Sequence, residues 1–155
     1  MVLFDLFSKS GMKIRKIKQE LDNFSECLND TFERATFEQL KQRIISSLSN
    51  IQKTEISKYS AQKIAYTMLA NICNSIFIRH RIYPTNFTEK AIIKIWKLAI
   101  KRLYGFNEIS EAEYNNTINN MQLTISECLT QHKSAFEDDR DDMLNNPLFT
   151  GQWWF

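Results

Sequence analysis

With 155 residues, 43% hydrophobic and 25% charged, the chain is long enough to bury one core without disulfides or a structural metal. Three glycines and two prolines are too few for a fold built on tight turns, and they predict long helices. The net charge of +2 conceals a polarity: residues 61–105 hold eight Lys/Arg and one acid, Glu89, whereas residues 106–155 hold nine acids and two bases, Lys133 and Arg140. These halves could attract each other within the fold, or each could face a partner of opposite sign.

Three cysteines, Cys27, Cys73 and Cys128, are odd in number and far apart, unlike a secreted disulfide framework. Each falls at an apolar-periodic position, so all three are expected as reduced core residues. The opening run Val2, Leu3, Phe4, Asp5, Leu6, Phe7 holds an acid, and its basic residues follow it, which is not the layout of a Sec signal. The longest uncharged stretch, residues 64–78, contains Asn71 and Asn74 and is shorter than the ~18 residues of a membrane span. A cytoplasmic protein is the default expectation; a secretion route that bypasses Sec leaves no such trace and stays open.

In chain order, residues 12–32 read as a first helix, with Ile14, Ile17, Leu21, Phe24 and Leu28 on one face. Thr36 and Gln39 form a capping-box pattern that predicts the start of a second helix, striped by Phe37, Leu40, Ile44, Leu48 and Ile51. This stripe fades in the polar stretch at residues 52–57. A third helix is expected over residues 60–82, closed by Tyr83-Pro84. Asn86 and Glu89 form a second capping pattern, opening a fourth helix that runs to Tyr104, with Gly105 expected in the left-handed position that ends it. On this helix Lys90, Lys94, Lys97 and Lys101 share an arc of roughly 60°, and nearly everything else is apolar. So narrow a polar strip predicts either the central helix of the bundle or an interface. Ser110 and Glu113 give a third capping box before a fifth helix carrying Tyr114, Ile118, Met121, Ile125, Cys128 and His132. From Glu137 the chain becomes acidic and then aromatic: Asp138, Asp139, Asp141 and Asp142 precede Phe149, Trp153, Trp154 and Phe155. The expectation is an all-α bundle of about five helices over residues 1–136, followed by an irregular acidic, aromatic-ended segment over residues 137–155.

Catalytic machinery is hard to find. His80 and His132 are the only histidines, and there is no Gly-rich phosphate loop, no Cys-x-x-Cys and no Glu-x-x-His. Cys128 and His132 stand four apart, but nothing supplies an oxyanion site or an orienting group, so no enzyme and no cofactor are expected. Arg79, His80 and Arg81 could grip an anion, or could be the solvated end of a buried helix. The stripe of Lys90, Lys94, Lys97 and Lys101, extended by Arg102, suits a phosphate backbone or an anionic membrane; it is equally what an embedded helix shows to water. Phe149, Trp153, Trp154 and Phe155 could fold back on the bundle or anchor a docking peptide steered by the acids before them. Val2, Leu3, Phe4, Leu6 and Phe7 could pack under the first helix or touch a membrane.

By elimination the sequence points to a non-enzymatic protein-interaction protein, of the adaptor, inhibitor, immunity or effector kind. Its expected partner is another protein, a second copy of itself included. Its expected surfaces are the apolar flank of the fourth helix and the terminal aromatics. Nucleic acid or an anionic membrane, bound by the lysine stripe and masked by the acidic segment, is the alternative.

Overall fold

The computed structural model describes residues 9–51, 53–79 and 87–134. Among these residues there are six helices and no strand: α1 (Lys9–Glu26), α2 (Thr31–Leu48), α3 (Lys53–Lys58), α4 (Ala61–Arg79), α5 (Phe87–Gly105) and α6 (Glu111–Ser134). The all-α bundle expected from the sequence is therefore present, with α3 added in the polar stretch where the apolar stripe fades. No helix among the described residues is long and apolar enough to cross a membrane. The apolar run at residues 2–7, His80, Arg81, and the aromatic residues Phe149, Trp153, Trp154 and Phe155 lie outside the described residues, as does the side chain of His132.

Helix α1 stops earlier than its stripe suggests. Ile17, Leu21, Phe24 and Leu28 are all fully buried, yet the helix ends at Glu26. The chain tightens there, with Cys27 N–H donating to Phe24 O at 3.0 Å and Leu28 N–H to Ser25 O at 3.1 Å. Leu28 reaches the core from this turn, so the spacing survives the loss of the helix. Cys27 does not: it is exposed, whereas Cys73 and Cys128 are buried, and all three are free thiols. The expectation of three core cysteines fails at Cys27 because the turn swings that position outward.

Helix α2 begins at Thr31, not at Thr36. Its cap is Asp30, in extended backbone, whose carboxylate accepts from Phe32 N–H at 2.6 Å and Glu33 N–H at 3.3 Å. Thr36 instead donates its hydroxyl back to Phe32 O at 2.9 Å, the habit of a threonine already inside a helix. The capping box at Ser110 and Glu113 is formed: each backbone N–H donates to the other's side chain, at 3.1 Å both ways. These bonds hold the Glu113 carboxyl below its ordinary pKa.

Side-chain contacts give the topology. Phe24 meets Phe37 at 4.9 Å between ring centroids, and Lys41 bridges Asp22 at 3.0 Å, so α1 and α2 run antiparallel. Lys13 donates to Tyr59 O at 2.7 Å, whereas Tyr66, further along, meets Phe24 at 6.0 Å; α1 and α4 run parallel. Phe77 meets Trp96 at 6.2 Å while Tyr66 stacks on Phe106 at 6.0 Å, which makes α4 and α5 antiparallel. Helix α6 starts beside the last turn of α5, where Tyr114 stacks on Tyr104 at 4.9 Å.

The most embedded helix is α4. It touches α1, α2, α5 and α6, and it buries Ile64, Ala65, Tyr66, Met68, Leu69, Cys73 and Phe77 completely. Helix α5, the expected centre, packs on α2, α4 and α6 and keeps its lysine strip outside. Its apolar flank is spent on this packing: Ile92, Ile95, Trp96, Ala99, Ile100 and Leu103 are buried within the bundle. Losing one large core ring from such a centre, Phe77 of α4 for instance, would cost about 3–5 kcal/mol.

The end of α5 also departs from expectation. Gly105 is not left-handed; Asn107 is, at φ 58°. Glu108 N–H donates to Leu103 O at 2.9 Å and Asn107 N–H to Tyr104 O at 3.0 Å, the paired bonds of a Schellman turn centred two residues beyond the glycine. Asparagine takes that conformation more readily than most non-glycine residues. Glu108 then accepts from the Ser60 hydroxyl at 2.6 Å, tying the start of α4 to the loop after α5.

Candidate interaction surface

The lysine stripe faces outward as its spacing predicts. Lys90, Lys97 and Lys101 are exposed, and Trp96 is buried on the opposite side. Lys94 is committed to α2: its ammonium sits 3.0 Å from both carboxylate oxygens of Glu33. An exposed pair of this kind adds about 0–1 kcal/mol, but it takes one of the four positive charges out of the stripe.

Arg102 does not extend the stripe. It leans away toward α1, with its guanidinium 5.9 Å from the ring centroids of both Phe24 and Tyr66, and it donates to the Cys27 sulfur. Tyr66 stays in place beneath it: its hydroxyl donates to Glu20 Oε2 at 2.8 Å, and Gln62 donates to the other oxygen of that carboxylate at 3.3 Å. Burial, and then the hydrogen bond to Glu20, push the Tyr66 hydroxyl well above its ordinary pKa. Arg79 is exposed at the end of α4. Because α4 and α5 are antiparallel, it stands at the opposite end of the bundle from Lys101 and Arg102. Among the described residues, the sequence-derived basic side chains are therefore not gathered into one patch.

It does form a groove that the sequence conceals. Between the C-terminal ends of α1 and α5 lies an open depression of about 420 Å³. Leu98 and Phe106 give it apolar walls above the buried Phe24 ring, Lys101 and Arg102 a cationic side, and Cys27 a thiol; Gly105 completes the lining. A side chain at Gly105 would meet nothing within 4 Å, so the absence of one leaves open space. Phe106 is 39% exposed here despite stacking on Tyr66. Lys101, the last lysine of the stripe, joins the two features. An apolar slot with cations at one edge is suited to an aromatic or aliphatic anchor that carries negative charge beside it.

A second depression, of about 470 Å³, is shallower and is lined by Gln42, Arg43, Ser46, Ser47 and Ile72. Its two serine hydroxyls already donate to carbonyls of their own helix, at Gln42 O and Arg43 O. Among the described residues no group of His, Cys, Asp and Glu could hold a metal ion. The buried Cys73 thiol has its pKa pushed far up by burial, which makes it a poor nucleophile. Comparison with protein families, with curated proteins and with solved structures finds no match to this chain.

Proposed function

We propose that this protein is a non-enzymatic interaction module, whose working surface is the groove between α1 and α5 together with the adjoining lysines. The observation that carries this reading is the juxtaposition of Leu98 and Phe106, over the buried Phe24, with Lys101 and Arg102 around one open volume. Such a surface selects a peptide segment with an aromatic anchor and neighbouring acids. The apolar flank of α5 is covered by the bundle, so this groove takes its place as the binding surface. An adaptor, inhibitor, immunity or effector role in the cytoplasm accords with such a module.

The test is fluorescence anisotropy of a labelled peptide of five aspartates followed by two tryptophans, titrated with the full chain and with its W153A/W154A/F155A variant, which takes away the chain's own terminal aromatics as competitors. Gly105→Leu adds an apolar side chain to the groove lining at a position where a Cβ meets nothing within 4 Å, and Lys101→Glu reverses its edge. Saturable binding weakened about tenfold or more by each groove variant is the expected result, since a lost hot-spot contact is worth ~1.4 kcal/mol or more. Absence of binding to both the full chain and its W153A/W154A/F155A variant, or binding that ignores both groove variants, would overturn the reading.

A second reading rests on the outward lysines Lys90, Lys97 and Lys101, which present an anion-binding face for nucleic acid or an anionic membrane. Salt-sensitive binding of a generic duplex, reduced by charge reversal at Lys90 and Lys97 but indifferent to Gly105→Leu, would favour it.

A further inference from the structure

We propose that the groove is occupied by residues 137–155 of the same chain, acting as a built-in competitor for outside partners. This proposal rests on the preceding reading of the groove as a peptide-binding surface, and it names the occupant.

Three observations converge on that segment. The first is chemistry. Glu137, Asp138, Asp139, Asp141 and Asp142 stand ahead of Phe149, Trp153 and Trp154, which is the combination of acids and aromatic anchors that a cation-edged apolar slot selects. The second is charge balance within the chain. Residues 61–105 carry eight bases and one acid, and residues 137–155 carry five acids and one base, so the segment and the helix that bears Lys97 and Lys101 are opposite in sign. The third is reach. Helix α6 has 24 residues, about 36 Å at 1.5 Å per residue, and it starts beside the last turn of α5. Ser134 therefore lies no more than about that distance along α6 from the groove. The nineteen residues from Ser134 to Trp153 span up to about 63 Å when extended, so the anchor reaches the groove with slack.

Order along the chain fits as well. Helix α5 presents Lys90, Lys97 and Lys101 outward in sequence, with the groove at its C-terminal end. In residues 137–155 the acids likewise come before the aromatics, so a segment laid along α5 in the same direction pairs acids with lysines and aromatics with the groove. Tethering supplies an effective concentration in the millimolar range, enough to outcompete a free peptide of modest affinity.

Cys27 gives a direct readout, because it lines the groove and is exposed while Cys73 and Cys128 are buried. The experiment measures the rate at which Cys27 of the folded full chain reacts with an aromatic disulfide reagent. It compares the wild-type chain with W153A/W154A/F155A, which removes anchors and leaves every charge in place. A synthetic peptide of residues 137–155 is then added to each. The expected result is that the triple variant reacts about tenfold faster than wild type at every protein concentration, and that the peptide slows the variant back toward the wild-type rate. Equal rates for the two chains, both slowed by the peptide, would overturn the built-in occupant while leaving the groove a peptide site. A wild-type rate that falls as protein concentration rises would also overturn it, in favour of a second copy as occupant. A peptide without effect on either chain would overturn the proposal and the groove reading together.

Discussion

Tyr66→Phe removes a hydroxyl that supports the groove from beneath. The substitution keeps the ring, and with it the contacts to Phe24 and Phe106, and deletes only the hydroxyl that donates to Glu20 at 2.8 Å. A hydrogen bond to a charged group contributes about 1.5–3 kcal/mol. Glu20 is only half-buried and regains water when the hydroxyl leaves, so the lower end applies: a loss of about 1.5 kcal/mol. For a chain of this size that is a fall in Tm of roughly 3–6 °C, read by calorimetry at pH 7. The pH dependence gives an independent check. The folded state holds the Tyr66 proton above its ordinary pKa, so between pH ~10 and the raised value the folded state binds more protons than the unfolded. Stability from this group is complete below pH ~10 and declines above it, by about 1.4 kcal/mol per pH unit. The wild-type advantage over Tyr66→Phe should therefore vanish within about one unit above pH 10. Equal Tm values at pH 7, or two curves that stay parallel to pH 11, would refute the assignment of the hydroxyl bond as a net stabilising contact.

Two further outcomes are expected. Asp30→Ala removes the α2 cap and should cost about 1 kcal/mol, seen as a shift of roughly 2–4 °C in thermal unfolding, whereas Thr36→Ala should change little. Asn107→Val forces a β-branched residue into φ 58° and should destabilise by about 1–2 kcal/mol in urea titrations, whereas Asn107→Gly should be neutral or better.

Much of this fold was legible because burial in a helical bundle repeats with the helix. Ile17, Leu21, Phe24, Phe37, Leu40, Ile44 and Leu48 are buried where the three-and-four spacing puts them. What spacing cannot show is where a helix stops while its stripe continues. Leu28 sits four residues after Phe24 and is buried, yet it lies beyond the end of α1. Helix α3 has six residues and a single fully committed apolar position, Ile56, too few for a period to register. Capping pairs were legible only when nothing preceded them: the Ser110–Glu113 box forms, while Thr36 and Gln39 lie inside a helix already under way. The groove was not legible at all. Arg102 and Cys27 are 75 residues apart, and only the packing of α1 and α5 against α4 brings these two helix ends together. The basic residues were visible as types, but the aromatic rings that draw Arg102 away from the lysine arc are contributed by α1 and α4.

The central place of α4 bears on how the chain emerges from the ribosome. Helices α1 and α2 emerge first, but the surfaces they turn toward α4 have no native cover until residue 79 has left the exit tunnel, and α4 in turn waits for α5. At synthesis rates of about 5–20 residues per second, the apolar faces of Ile17, Leu21 and Ile44 stand open to water for several seconds. Nascent-chain chaperones thus have a defined window in which to bind, and it closes when α5 docks.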